Sequence, residues 1–217
     1  MISAVRQQDQ DELGELLERG LDEMGLVVAE ASRTRLVRYL RLLEKWNEVY
    51  NLTAVRALKR AVSVHILDSL ALTPYITGRR LLDVGSGAGL PGIPLAAVRP
   101  ELEVTLLDSS HKKTAFLRQA VSELGLKNTK VVCHRVESWR PEERFDWIVS
   151  RAFSEIAEFV TSAQHLLAPG GMLAAMKGLL PFEEIERLPS EFRVRQLHPL
   201  SIPALEASRH LVLIDRA

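Results

Sequence analysis

The run Leu81-Leu82-Asp83-Val84-Gly85-Ser86-Gly87-Ala88-Gly89-Leu90-Pro91-Gly92 joins a short apolar strand to a helix through a turn almost without side chains. Three alternate glycines, Gly85, Gly87 and Gly89, remove the Cβ that would forbid positive φ or the near approach of a bulky ligand. Pro91 suits the first turn of the helix that follows, and that helix is expected to aim its free N–H groups at a bound molecule.

The glycine run satisfies two overlapping patterns. Gly87-x-Gly89-x-x-Gly92 matches the dinucleotide fingerprint, whereas Asp83-x-Gly85-x-Gly87-x-Gly89 matches the loop of S-adenosylmethionine-dependent methyltransferases. A glycine-rich turn with no ligand is the third reading. Context argues against it, because a second apolar strand, Val104-Thr105-Leu106-Leu107, ends in Asp108, where an acid can accept both hydroxyls of a ribose.

A chain of 217 residues with 47% hydrophobic content can bury a substantial core, and one domain with an appendage is the natural expectation. The single cysteine, Cys133, rules out an internal disulfide and a four-cysteine zinc site. It fits a reducing compartment, and it falls in a segment read as a buried strand, 130–134. No stretch has the apolar core of a signal peptide or the length to span a bilayer, so the expected location is the cytoplasm, with no membrane partner and no metal. The chain is expected to be a monomer.

The 28 basic and 28 acidic residues cancel, but they are segregated along the chain. Residues 1–32 carry eight acids and two arginines, a sum of −6, whereas residues 33–60 carry eight basic residues against Glu44 and Glu48, a sum of +6. Binding of a polyanion depends on local clusters more than on the global sum. A solvated helix face balancing the acidic segment is the plainer alternative.

Periodicity predicts helices over 11–23, 31–50 and 59–75, the second with Leu36, Leu40 and Leu43 on one face. Thr53 follows as a possible cap. From residue 81 the alternation becomes regular: strand 81–84, helix 91–98, strand 103–107, helix 111–124, strands 130–134 and 145–150, helix 154–167. Pro169-Gly170-Gly171 reads as a turn before strand 172–177, and segments 193–197 and 209–214 read as a closing hairpin. The expected fold is α/β, a Rossmann-like sheet in residues 77–217 with an N-terminal helical extension, residues 1–76, packed on it. Such a sheet binds its ligand outside the carboxyl ends of the strands. Polar clusters follow four consecutive strand ends: the glycine loop, Asp108, Arg135-Val136-Glu137 and Ser150-Arg151-Ala152-Phe153.

Asp83 ahead of the glycines and the late Pro169-Gly170-Gly171 turn favour the methyl donor over nicotinamide. Lys45-Trp46-Asn47-x-x-Tyr50-Asn51-Leu52-Thr53, His65-Ile66-Leu67-Asp68-Ser69, the glycine run extended through Ile93-Pro94-Leu95, Leu107-Asp108-Ser109-x-x-Lys112-Lys113 and Ser150-Arg151-Ala152-Phe153 occur in order. Together they resemble the RsmG family, also called glucose-inhibited division protein B, from about residue 42 to residue 215. The resemblance implies a class I S-adenosylmethionine-dependent methyltransferase acting on guanine N7 of 16S ribosomal RNA, alone or in the small ribosomal subunit. It also implies cofactor contacts at Gly85 and Leu90, at Val136 and Glu137 near the adenine, and at Arg151 beside the reacting end. Asp108 is read as the ribose ligand. Arg151 anchors either the methionine carboxylate or an RNA phosphate, the resemblance favouring the first.

Guanine N7 has an exposed lone pair and no proton to lose, so positioning is expected to supply the catalysis. The chain lacks an Asn/Asp-Pro-Pro-aromatic motif for exocyclic amines, and Cys133 reads as packing. His65 and Asp68 read as structural support behind the loop, and Trp46 and Tyr50 as core. Candidate RNA contacts are Arg33, Arg35, Arg38, Arg41, Arg56, Lys59 and Arg60, with His111, Lys112 and Lys113 at the cofactor mouth. A nicotinamide-dependent oxidoreductase and a non-catalytic ribosome-binding module are the alternatives.

Overall fold

The computed structural model describes residues 2–151, 153 and 155–217, with side chains from residue 11 onward. Ala152, within the Ser150–Phe153 motif, and Ser154, the expected start of a helix, lie outside the described residues. Seven strands form one sheet in the order β3-β2-β1-β4-β5-β7-β6. β1 (Arg80–Val84), β2 (Glu103–Asp108), β3 (Thr129–Cys133), β4 (Phe145–Ser150) and β5 (Leu167–Lys177) are parallel. β7 (His210–Arg216) inserts antiparallel between β5 and β6 (Phe192–Pro199), so the expected late hairpin does close the sheet.

Strand residues alternate between two cores, as the two-residue period of a pleated sheet requires. Leu81, Leu106, Val149, Ala174 and Leu213 face one cluster, and Leu82, Leu107, Ile148, Leu173 and Val212 the other. Burial on both faces explains why these strands read as nearly continuous apolar runs. Helices α5 (Gly92–Val98) and α6 (His111–Leu124) make the crossovers around β2, and α7 (Ile156–Ala163) that between β4 and β5. Ser110 caps α6 by accepting the Lys113 N–H at 3.4 Å, and Gly125 in the left-handed region ends it.

The N-terminal helices α1 (Ile2–Glu23) and α2 (Glu30–Tyr50) join the first of these cores. Leu13, Leu17 and Leu21, four residues apart, are buried in the same cluster as Leu81 and Leu106. Each such burial contributes about 1.5–3 kcal/mol. The helix expected over 59–75 is instead three short pieces: α3 (Leu58–Ala61), a π-helical segment Val62–Leu67, and α4 (Asp68–Leu70). Residues 71–75 continue as turns.

Three further expectations change. α7 stops at Ala163 and gives way to a 3-10 turn, Gln164–Leu166. The Pro169-Gly170-Gly171 stretch is a bulge inside β5 rather than a turn before it, because Phe145 pairs with Leu167 and Trp147 with Met172, forcing the intervening residues out. β3 is an edge strand, so Cys133 is only half-buried, its Sγ 3.4 Å from His111 Nδ1. The last helix, α8 (Phe182–Ile185), precedes β6.

Candidate active site

The strand order reverses between β1 and β4, and a crevice opens there at the carboxyl ends. A cleft of about 390 Å³ lies at this end, lined by Gly85, Asp108, Val136 and Glu137 together with Lys113 and Phe153. Its size falls within the range of small-ligand sites, about 300–1,000 Å³.

The floor is the glycine turn. Gly85, Gly87 and Gly89 all have positive φ, at 69°, 58° and 91°. A Cβ on Gly89 would collide with Ile93 and lie 3.0 Å from Leu117, whereas one on Gly87 would meet nothing nearer than the Gly85 carbonyl at 3.7 Å. Gly89 is thus required by packing as well as by φ, and Gly87 by φ alone. The Gly85 and Ser86 N–H groups donate to the Leu107 carbonyl at 2.8 and 3.1 Å, lashing the turn to the end of β2.

The expected role of the α5 N-terminus changes. Its amides do not point at the cleft: Gly92 N–H donates to Asp83 Oδ2 at 2.9 Å and Ile93 N–H to the Gly89 carbonyl at 2.7 Å, while Pro91 and Pro94 have none. Asp83 therefore closes the helix end from within, as the acceptor of its Gly92 N–H. It is fully buried, its Oδ1 lacks a hydrogen-bond partner among the described residues, and burial pushes its carboxyl up to about 7, against the pull of Gly92 N–H and Arg151.

Asp108 is held by its own surroundings in a receptive pose. Oδ2 accepts the Gly87 N–H at 2.9 Å and lies 3.7 Å from Lys113 Nζ, while Oδ1 accepts the Ser110 N–H at 2.9 Å. A carboxylate has about four acceptor positions, so lone pairs remain on both oxygens. Val136 and Glu137 open a 3-10 turn after β3, Val136 buried and Glu137 exposed at the cleft. Phe153 forms the wall beyond, 5.4 Å from the Phe159 ring.

Two predicted contacts lie outside this lining. Leu90 is buried at the far end of the turn. Arg151 follows β4 and reaches Asp68, its Nη1 3.2 Å from Oδ2, while Arg209 Nε donates to Oδ1 at 3.0 Å. Asp68 is itself buried, and burial raises its carboxyl, with Arg151 and then Arg209 opposing. The support role expected of Asp68 thus takes the form of a clamp joining the end of β4 to the start of β7. His65, one turn earlier, bonds Thr53 Oγ1 at 2.9 Å, and burial lowers its imidazole to about 4. Thr53 caps no helix; its hydroxyl also accepts the Val55 N–H at 3.1 Å.

The basic residues separate into two groups. Arg33 and Lys59 pair with Glu18 and Glu12, Arg38 donates to the Glu123 carbonyl and Arg56 to the Asn47 carbonyl. Arg35 lines a groove shared with Glu101 and Glu103, at the opposite end of the sheet from the cleft. At the cleft end, Lys112 sits 5.1 Å over the ring of Tyr50, which is 38% exposed rather than in the core. Trp46 is packed between Tyr50 and Phe116.

The family model for GidB, rRNA small subunit methyltransferase G, matches residues 32–212. The chain belongs to this family. It is 56% identical over 200 residues to the Ribosomal RNA small subunit methyltransferase G of Laribacter hongkongensis (strain HLHK9), covering 92% of this chain and 97% of that one. Among solved structures, the glycopeptide N-methyltransferase MtfA superposes with a TM-score of 0.57 at 17% identity, over 71% of this chain and 96% of that one. A methyltransferase from Thiobacillus denitrificans in complex with S-adenosyl-L-homocysteine gives 0.53 at 14%, over 83% and 98%. These two show the fold, a Rossmann-like class I sheet. As a member of the rRNA small subunit methyltransferase G family, the chain is an S-adenosylmethionine-dependent methyltransferase.

Residues that the sequence did not single out also line the cleft: His134 beside the predicted pair and Glu158 on α7. His134 directly follows β3 and was recoverable from the strand-end rule; Glu158 arrives through tertiary packing of a helix and leaves no local signal.

Proposed function

We propose that this family member transfers a methyl group from S-adenosylmethionine to N7 of a guanine in 16S ribosomal RNA, in the cytoplasm. The observation that carries the reading is Asp108, a buried carboxylate with lone pairs to spare at the rim of a turn with three positive-φ glycines. The residues fit the cofactor: the turn offers backbone without Cβ at Gly85, Asp108 offers acceptors for two ribose hydroxyls, and Val136 and Glu137 offer an apolar wall and a polar edge for adenine. Leu90 is buried in the core next to the turn, and Asp83 accepts the Gly92 N–H at the start of the helix that follows. When bound, the cofactor supplies an electrophilic methyl group on a sulfonium.

Guanine N7 already carries its lone pair, so no residue here is assigned to remove a proton. The chain's contribution is orientation, and well-oriented reactions gain up to about 7–11 kcal/mol. Arg151, held by Asp68, is read as the anchor for the methionine carboxylate at the reacting end.

The test supplies radiolabelled S-adenosylmethionine with 16S rRNA and, separately, with small subunits, then digests the RNA to nucleosides. Label in 7-methylguanosine is the expected result, and its absence from both substrates would refute the reaction. In parallel, S-adenosylhomocysteine at a hundredfold its Kd adds about 2.7 kcal/mol of stability. Stabilisation by NADH instead would point to an oxidoreductase.

A further inference from the structure

Half of the large hydrophobic side chains exposed among the described residues belong to one short stretch: Leu179 at 80%, Leu180 at 41% and Phe182 at 64%. The stretch follows β5, which is parallel to β4, β1 and β2, so it projects at the same end of the sheet as the cleft. It is fastened at both ends. Glu184 accepts Lys177 Nζ at 2.8 Å and the Ile156 N–H, at the start of α7, at 2.9 Å, and His210 Nδ1 lies 3.3 Å from the Gly178 carbonyl. Arg209, which shares Asp68 with Arg151, reaches to 3.8 Å from where a Gly178 Cβ would stand. Pro181 is buried beneath. The loop is therefore fastened close to the Arg151–Asp68–Arg209 clamp, with its apolar side chains exposed.

The proposed reaction gives such a surface a task. N7 faces the major groove, and in an RNA helix that groove is too deep and narrow for side chains to enter. The target guanine must be presented unstacked, and the lost stacking must be replaced. Apolar wedges and aromatic faces do this in nucleic-acid enzymes and single-strand binders. Glu183 on α8 and Glu186 just after it are exposed acids, which disfavours phosphate and leaves the bases as the chemically matched contact.

We propose that the 179–182 loop is a stacking platform for unpaired bases of the RNA substrate, with Phe182 providing the aromatic face. The proposal rests on the assignment of an RNA substrate made above. The test uses full-length protein and small-subunit rRNA. Phe182→Ala is expected to lower kcat/KM for RNA by about 5- to 100-fold, the range of base–aromatic stacking, while affinity for S-adenosylhomocysteine and the salt dependence of RNA binding stay unchanged. Phe182→Tyr restores the rate and Phe182→Leu does not. Wild-type kinetics in Phe182→Ala, or full rescue by leucine, would overturn the proposal, the latter marking a generic apolar surface for a protein partner. So would a wild-type dimer in sedimentation that Phe182→Ala splits, since a second copy would then be the occupant. Photocrosslinking of thiouridine-substituted rRNA, mapped to the 178–187 peptide, reads the contact without catalysis: an adduct there supports the platform even if no methyl is transferred, and its absence sinks it.

Discussion

At the scale of single residues, two carboxylates and a histidine separate binding from support. Asp108 is tied to backbone at both oxygens and still has acceptors free, so Asp108→Asn keeps the shape but loses the charge. Hydrogen bonds to a charged acceptor contribute roughly 1.5–3 kcal/mol, and losing one predicts a 10- to 100-fold rise in the Kd for S-adenosylhomocysteine by calorimetry. An unchanged Kd would remove Asp108 from the ribose site. His65 is a structural group with a pH signature. Its imidazole falls from 6.5 to about 4 through burial, so its contribution is complete above pH 6.5 and is lost as pH falls toward 4. Asp83 has the opposite slope: raised from 3.8 to about 7, it favours the folded state at low pH and loses that advantage as pH rises through 7. Urea unfolding of wild type and His65→Gln at pH 7 and pH 4 isolates the first effect, with a relative loss for wild type on the order of 3 kcal/mol at the acid end. Parallel curves would show that His65 is protonated as readily folded as unfolded.

At the scale of elements, the seam between the glycine turn and α5 decides the shape of the cleft floor. A Cβ on Gly92 would strike Leu106 and lie 2.8 Å from Asp83 Oδ2, the atom that accepts the Gly92 N–H. Gly92→Ala should destabilise by about 1–3 kcal/mol, lowering Tm by several degrees for a chain of this size, and weaken cofactor binding as α5 lifts from the turn. Gly125→Ala, at φ +64 with nothing within 4 Å of its Cβ, carries only backbone strain and should leave cofactor affinity intact. Equal affinities in both variants would break the link between α5 docking and the site. The glycine turn, Asp108 and the 136–137 step were legible because a strand end next to a helix start writes its chemistry in adjacent residues. The Pro169-Gly170-Gly171 bulge was misread because its composition is that of a turn, and only its pairing with β4 tells the two apart. The π-helical break at 62–67 was invisible for the same reason: its apolar spacing is compatible with an unbroken helix. Asp68 could be read as support, but its bond to Arg209, 141 residues away, has no local trace.

At the scale of the whole molecule, a neutral chain must meet a polyanion, and the distribution of charge governs how. The basic band of residues 33–60 is largely engaged by the protein: Arg33 and Lys59 balance acids of α1, and Arg38 and Arg56 hold carbonyls. It joins α2 and the segment after it to their neighbours, as much a part of folding as of binding. Arg35 lines a groove with Glu101 and Glu103 at the end of the sheet remote from the cleft. Lys112, in contrast, opens α6 at the cleft end and lies over Tyr50, an exposed aromatic beside an exposed cation. Each phosphate neutralised releases counterions, so the slope of log affinity against log salt counts contacts, at roughly 0.9 per duplex phosphate and 0.7 per single-strand phosphate. Lys112→Gln is expected to shallow that slope by about one contact for small-subunit rRNA, while Arg35→Gln leaves it unchanged. Because the two substitutions remove the same charge, net electrostatics cannot account for a difference between them; only the position of the RNA can. A slope that falls with Arg35 and not with Lys112 would put the RNA across the opposite end of the sheet, away from the glycine turn.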